Sequence, residues 1–249
     1  MHKWMYLWAP SGDASIGGFA ARARGVLEER LKGLCGEGAS EVTLHLTESE
    51  PPRLSIVPFQ RKPVALVSVT GGDEAVCAAA SNRLTGLEGA VEGYLVEEAI
   101  PLFRQRRWPL GEAAPGVCLL TLLRRNQKLS RESFLGEWHG RHTPMSLAVH
   151  PMESYVRNTV MEPIGPIDHG VTQRSGTGPA ASLGDGRWDG IVTEAYPTMR
   201  HLTNPLYLFG GPLRALPNML RVGRHIATFM DLRSMRNFLV TERVIEARS

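Results

Sequence analysis

The chain has 249 residues, enough for one large domain or two small ones. Hydrophobic residues make up 43% of it, which supports a sizeable core and excludes a wholly disordered polymer. The net charge of +3, from 28 basic and 25 acidic residues without a basic stripe, argues against a nucleic-acid partner.

The apolar alternation of "KWMYLWAP" (3–10) predicts a strand. A helix follows over 15–34, then strands over 41–48 and 62–71. Asp73 is placed to cap an Ala-rich helix over 73–84, and a strand over 91–103 closes this half. Residues 104–115 are polar, contain Pro and Gly, and read as a linker. The Leu-rich run 116–125 predicts a buried strand. Ser130 opens a helix with a partial cap, because Ser133 stands where a capping box has Glu or Gln, and Pro151 ends it after His150. Strands are predicted over 152–160 and 188–197, separated by a loop dense in Gly, Pro, Ser and Asp (165–187). Residues 199–230 are helical but broken at Pro205, Gly210-Gly211-Pro212 and Pro217, and 235–245 is a last strand.

Each half therefore reads β-α-β-β-α-β, the ferredoxin-like pattern. Residues 1–103 form the first half and 116–249 the second. A sheet of this type carries its helices on one face and must bury the other. Two such sheets packed face to face give an α+β barrel, and the space between them is the expected pocket.

The helix after Ser130 carries the chemistry-bearing side chains. Phe134, Trp138, His142 and Met145 fall on one stripe at helical spacing, with Arg141 at its edge and His139 lateral. The pattern Phe134-x-x-x-Trp138-x-x-x-His142-x-Pro144 follows a Leu-rich strand, and "YVRN" (155–158), "WDGIVTEAY" (188–196) and "ATFMDLRSMRNFLVTERVI" (227–245) come after it. Together they resemble the EthD-type proteins of the dimeric α+β barrel superfamily. The resemblance covers most of residues 116–245. The first half departs from it, with Ala23 and Leu27 where Trp138 and His142 stand, so one equipped half and one structural half are expected.

The resemblance implies small-molecule chemistry on aromatic or polyketide-like compounds. Within that frame, His142 is the expected general acid/base, since an imidazole titrates near neutral pH. Tyr155 and Arg157 share one face of their strand and form the more chemical pair there, although alternation leaves open which face meets the pocket. Trp138, Phe134, Arg141, Tyr196 and His225 are expected to bind substrate, with Arg141 equally suited to an ion pair with Glu137. Glu194 shares the face of Tyr196, Asp189 suits a turn beside Gly190, and His150 suits a helix end. The reading is a cofactor-independent lyase, a decarboxylase or dehydratase, with isomerase and cofactor-free oxygenase chemistry as neighbouring options. Its alternative is a non-catalytic binding barrel or an accessory protein of an oxidative degradation pathway.

The sequence lacks the spacings that usually announce a bound group. Cys35, Cys77 and Cys118 form no CxxC pair, HExxH is absent, and no phosphate-binding glycine motif joins a strand to a helix. Neither a metal nor a nucleotide cofactor is expected. No run of 18 apolar residues and no export signal occur, so a cytoplasmic protein is expected, with a homodimer as the preferred assembly.

Overall fold

A computed structural model describes residues 1–164 and 188–248; the glycine-rich loop at 165–187, including His169, lies outside them. The first half comprises β1 (His2–Ala9), α1 (Ile16–Leu31), β2 (Ala39–Leu46), β3 (Ala65–Gly71), α2 (Glu74–Leu84) and β4 (Ala90–Leu102). The second comprises β5 (Val117–Leu123), α3 (Arg131–Leu135), a π-helical segment (Gly136–His142), α4 (Thr143–Val149), β6 (Ser154–Ile164) and β7 (Gly190–Tyr196). It continues through α5 (Met199–Thr203), α6 (Pro205–Leu208), α7 (Ala215–Phe229) and β8 (Arg236–Ala247). The caps act as their residue types dictate. Asp73 accepts from the amides of Ala75 and Val76, and the Ser130 hydroxyl accepts from the Ser133 amide.

The eight strands form one closed antiparallel barrel in the order β1-β3-β2-β8-β5-β7-β6-β4. Two ferredoxin-like sheets, β4-β1-β3-β2 and β6-β7-β5-β8, are thus zipped edge to edge. Antiparallel pairing of β2 with β8, and of β4 with β6, makes the two seams. Closure leaves no strand edge for further pairing.

Alternation along each strand then decides what fills the barrel. Met5, Leu7, Leu66, Tyr94, Leu120 and Phe238 point inward and pack together as one core. The space between the sheets is therefore filled at its centre, which confines the expected pocket to the end of the barrel. At one mouth it opens into a polar recess of about 480 Å³. The outer faces are covered by helices. In the first half, Phe19, Ala23 and Leu27 of α1 are fully buried against the sheet. In the second half, Phe134 and Trp138 are buried against β5, β6 and β7.

The segment 199–230 breaks where its sequence demands. Asn204 caps α6 through the Leu206 amide, and Gly210 and Gly211 take positive φ (+85° and +96°), a region L side chains avoid. Pro217 falls in the first turn of α7, where its missing N–H costs no helical bond.

Candidate active site

The 131–149 helical run is not uniformly α. At its middle the Thr143 amide donates to the Trp138 carbonyl, five residues back, so the turn holds one extra residue. The insertion shifts the buried stripe from the expected Phe134, Trp138, His142, Met145. The observed inner face is Phe134, Trp138, His142, Thr143, Ser146 and Val149, while Met145 is only half-buried. Trp138 is accommodated because β7 begins with a glycine, Gly190; a Cβ at that position would lie 2.3 Å from the indole.

Between this helix, α7 and the outer face of β5-β7-β8 lies a cleft of two lobes, about 140 and 170 Å³. They share His150, Glu194, Val222, Met235 and Asn237. Trp138, His142 and Tyr155 line the first lobe, and Tyr196 lines the second. Most of the wall is aliphatic, methionine or aromatic, and the polar groups are few, a composition suited to a flat apolar ligand.

Glu194 is the group this wall perturbs most usefully. Burial pushes its carboxyl up to about 7, partly offset by the Tyr196 hydroxyl, which donates to Oε2 at 2.7 Å. The same burial, together with the neighbouring carboxylate, pushes the Tyr196 phenol up. On the other side of β5, the Thr121 hydroxyl donates to Asn237 Oδ1 at 2.9 Å. That bond fixes the amide so that its Nδ2 hydrogens remain available as donors. Glu194 sits opposite Leu119 of β5, and Asn237 opposite Thr121, so the two flank β5 on its outer face. Two interstrand steps and a two-residue stagger along β5 separate their backbones by roughly 12 Å, a span that brackets an aromatic ring system.

Burial holds three histidines around the cleft, His142, His150 and His139, toward the neutral form. Burial lowers His142 to about 3, helped by the nearby His225 and His150, and its Nε2 lies 3.2 Å from the Ser146 hydroxyl. His142 also packs on His225 and Phe229, with ring centroids 5.5 and 5.2 Å away. His150 is lowered by burial and donates from Nδ1 to the Leu208 carbonyl, leaving Nε2 as the acceptor. His139 bonds the Thr159 hydroxyl through Nε2 and is lowered to about 4 by burial and by Arg157 and Arg131.

The structure also settles the face of β6. Tyr155 and Arg157 point to the helices, and Val156 lines the barrel mouth. Tyr155 reaches the cleft, with its phenol raised to about 12 by burial and by Glu194. Arg157 lines neither lobe. Its Nη1 donates to Thr143 Oγ1 at 2.9 Å, and the guanidinium lies 5.8 Å from the Trp138 ring, so it braces the π-helical turn. Phe134 is sealed in the core between Trp138 and Phe229. Arg141 is exposed and paired with Glu137 at 3.0 Å, its ion-pair reading, and with His225 it lines a separate surface recess. His225 stands behind His142, with Nδ1 3.8 Å from Glu137. Asp189 accepts from the Arg125 amide at 2.9 Å and fixes the entry to β7.

Asn237 and Glu194 are the polar groups missing from the sequence-derived site. The signal for Glu194 was present: it is the one carboxylate on a strand face otherwise made of Val192 and Tyr196. Asn237 carried no such signal, because an amide at the start of a strand is ordinary.

The chain superposes on an anthrone oxidase-like protein with a TM-score of 0.56, covering 100% of this chain and 93% of that one at 10% identity. The chain has the dimeric α+β barrel fold. Here one polypeptide supplies both sheets. A candidate monooxygenase of Fusobacterium nucleatum aligns over 98% of this chain and 92% of that one at 7% identity, with a TM-score of 0.48. One from Lactobacillus acidophilus aligns over 98% and 94% at 8% identity, with a TM-score of 0.45; neither score is high enough to add to the fold assignment. No family model matches the chain, and no curated protein matches its sequence. Among the described residues, no helix is long and apolar enough to cross a membrane.

Proposed function

We propose that this protein is a small-molecule enzyme in which Glu194 moves a proton at a carbon of an aromatic or polyketide-like ketone. The observation that carries the reading is a carboxyl raised to about 7 in an apolar cleft, the state a general base needs at neutral pH. Ionised Glu194 takes the α-proton, and the negative charge that develops on the carbonyl oxygen is met by the free Nδ2 hydrogens of Asn237. The Tyr196 hydroxyl holds the carboxylate in place. Trp138, Tyr155 and Met230 wall the ring, and neutral His142 braces that wall.

Of the lyase reactions, dehydration suits one carboxyl best. Glu194 removes the α-proton, the enolate re-forms the carbonyl, and the bond to a β-hydroxyl breaks. The same carboxylic acid returns its proton to the departing oxygen, so one water leaves and Glu194 is restored. In this reading the acid/base role passes from His142 to Glu194, and Arg157 supports the helix without touching substrate. The EthD-type resemblance supports the substrate class. So does the anthrone oxidase-like neighbour, because an anthrone is a ketone with an acidic ring C–H.

Proton–deuterium exchange in D₂O tests the step directly. The protein is expected to accelerate exchange at the α-carbon of fused-ring β-hydroxyketones, followed by loss of water, and Glu194→Gln abolishes both. Exchange that survives Glu194→Gln removes the assignment. Binding of such ketones with no exchange favours the non-catalytic barrel. The outer surface at α6 and α7 leaves Leu206, Leu213, Leu216 and Leu220 exposed, and the reading places a homodimer contact there. Sedimentation as a monomer at micromolar concentration removes that part alone.

A further inference from the structure

The polar mouth of the barrel holds a cluster that the cleft chemistry does not use. His45 on β2, Cys118 on β5 and Glu242 on β8 point into the barrel from three adjacent strands. His45 and Glu242 are direct partners across the β2·β8 seam, and Cys118 pairs with Val240, one interior position deeper. One ligand-type atom from each lies within 4.8 Å of the others. His45 is only 5% exposed, yet neither of its ring nitrogens has a hydrogen-bond partner, and Nε2 stands 3.5 Å from Glu242 Oε2. A buried imidazole with no partner at Nδ1, and only this loose contact with a carboxylate at Nε2, is uncommon in a finished core.

We propose that His45, Cys118 and Glu242 bind a divalent cation of the zinc class, with a fourth position open to the barrel mouth. The donor set decides the class. A thiolate and an imidazole select borderline and soft ions over magnesium or calcium, and one carboxylate completes a three-ligand zinc set. Zinc-to-ligand bonds of about 2.0–2.3 Å place tetrahedral ligand atoms about 3.5 Å apart. The observed cluster reaches that by side-chain rotation of about an ångström. Charge also closes, because thiolate and carboxylate together neutralise the dication. The thiol proton leaves to solvent through the recess above the cluster, about 480 Å³ and lined by Thr43, Ser68 and Thr193. Arg104 lies at its rim, 3.9 Å from Glu242 Oε1 and 3.2 Å from Glu153, so Glu153 retains it when the metal takes Glu242. The ion would also tie the two halves together, since His45 belongs to the first and the other ligands to the second.

The test uses the full, untagged chain loaded with Zn²⁺ or Co²⁺ and dialysed. The expected results are about one retained zinc per chain by mass spectrometry, a thiolate-to-cobalt charge-transfer band, and a melting temperature that rises with zinc. Cys118→Ser abolishes the band, and His45→Gln and Glu242→Gln each weaken zinc binding by more than about tenfold. Cys35→Ser/Cys77→Ser keeps both the band and the stoichiometry. Circular dichroism confirms that each variant folds, and if Cys118→Ser does not, His45→Gln decides. Failure to retain zinc, a cobalt band that survives Cys118→Ser, or an unchanged zinc affinity in His45→Gln overturns the proposal.

Discussion

Gly190→Ala is the sharpest probe of how β7 receives the helix that carries Trp138. The added methyl would stand 2.3 Å from Trp138 Cη2, 2.7 Å from Cζ3 and 3.0 Å from Leu123 Cδ1. The shortest of these falls more than 1 Å inside ordinary contact, which begins at 3.4 Å. Trp138 cannot retreat freely, because Phe134 packs 5.5 Å away, centroid to centroid, and Arg157 stands over the ring. The helix must therefore lift, and overpacking of this kind costs about 1–3 kcal/mol. For a chain of this size each kcal/mol lowers the melting temperature by roughly 2–4 °C. Urea and thermal melts of Gly190→Ala should show that loss. Trp138→Leu makes room for the methyl, so the double variant should be more stable than the two single losses predict, with a coupling of about 0.5–3 kcal/mol. A Gly190→Ala protein within about 0.5 kcal/mol of the parent, or an additive cycle, would refute the packing argument.

Glu194→Gln should lower kcat/KM by about 10²–10⁴, and the parent's kcat/KM should rise with pH through about 7 as the carboxyl ionises. The same raised value gives the folded state a proton that the unfolded chain releases earlier. Its contribution to stability is complete below the ordinary carboxyl range and is lost as pH rises through about 7, and denaturation of Glu194→Gln across that window should lack this loss. His142 and His139 have the opposite sign. Their values are depressed to about 3 and 4, so the stability they confer is present above 6.5 and is lost as pH falls toward those values. The His142 ring resonances should accordingly stay fixed in an NMR titration from about pH 8 to 5, and a midpoint inside that range would contradict its burial. Arg157→Ala should cost about 1 kcal/mol in urea denaturation through the lost bond to Thr143, while the pH profile of the surviving activity keeps its midpoint.

The barrel was legible because its signals are local and redundant. Strand alternation, the caps at Asp73 and Ser130 and the break at Gly210-Gly211 each specify an element without reference to distant residues. Which side of the sheet carries the candidate cleft was not legible. An apolar inner face at Leu120 and Leu122 and an apolar outer face at Leu119 and Leu123 look alike in a strand that is buried on both sides. The helical stripe was read at 3.6 residues per turn, and nothing in "GEWHGRH" signals the extra residue that moved Met145 aside and brought Ser146 in. The neutrality of His142 follows from Phe229 and His225, which lie far along the chain in α7. The cluster at the mouth is equally non-local, with one ligand from each of three strands.

The π-helical turn is where this chain can change its length. Removing a single residue between Gly136 and His142 would restore α spacing, and Ser146 would then fall on the buried stripe that α geometry draws from Phe134. The segment after the turn would keep its face on the sheet, and His150 its reach to the Leu208 carbonyl. What would be lost is the widened turn itself, with the bond from the Thr143 amide to the Trp138 carbonyl. Among descendants of a common ancestor, the distance from Ser130 to Pro151 should therefore vary by one residue without displacing α4.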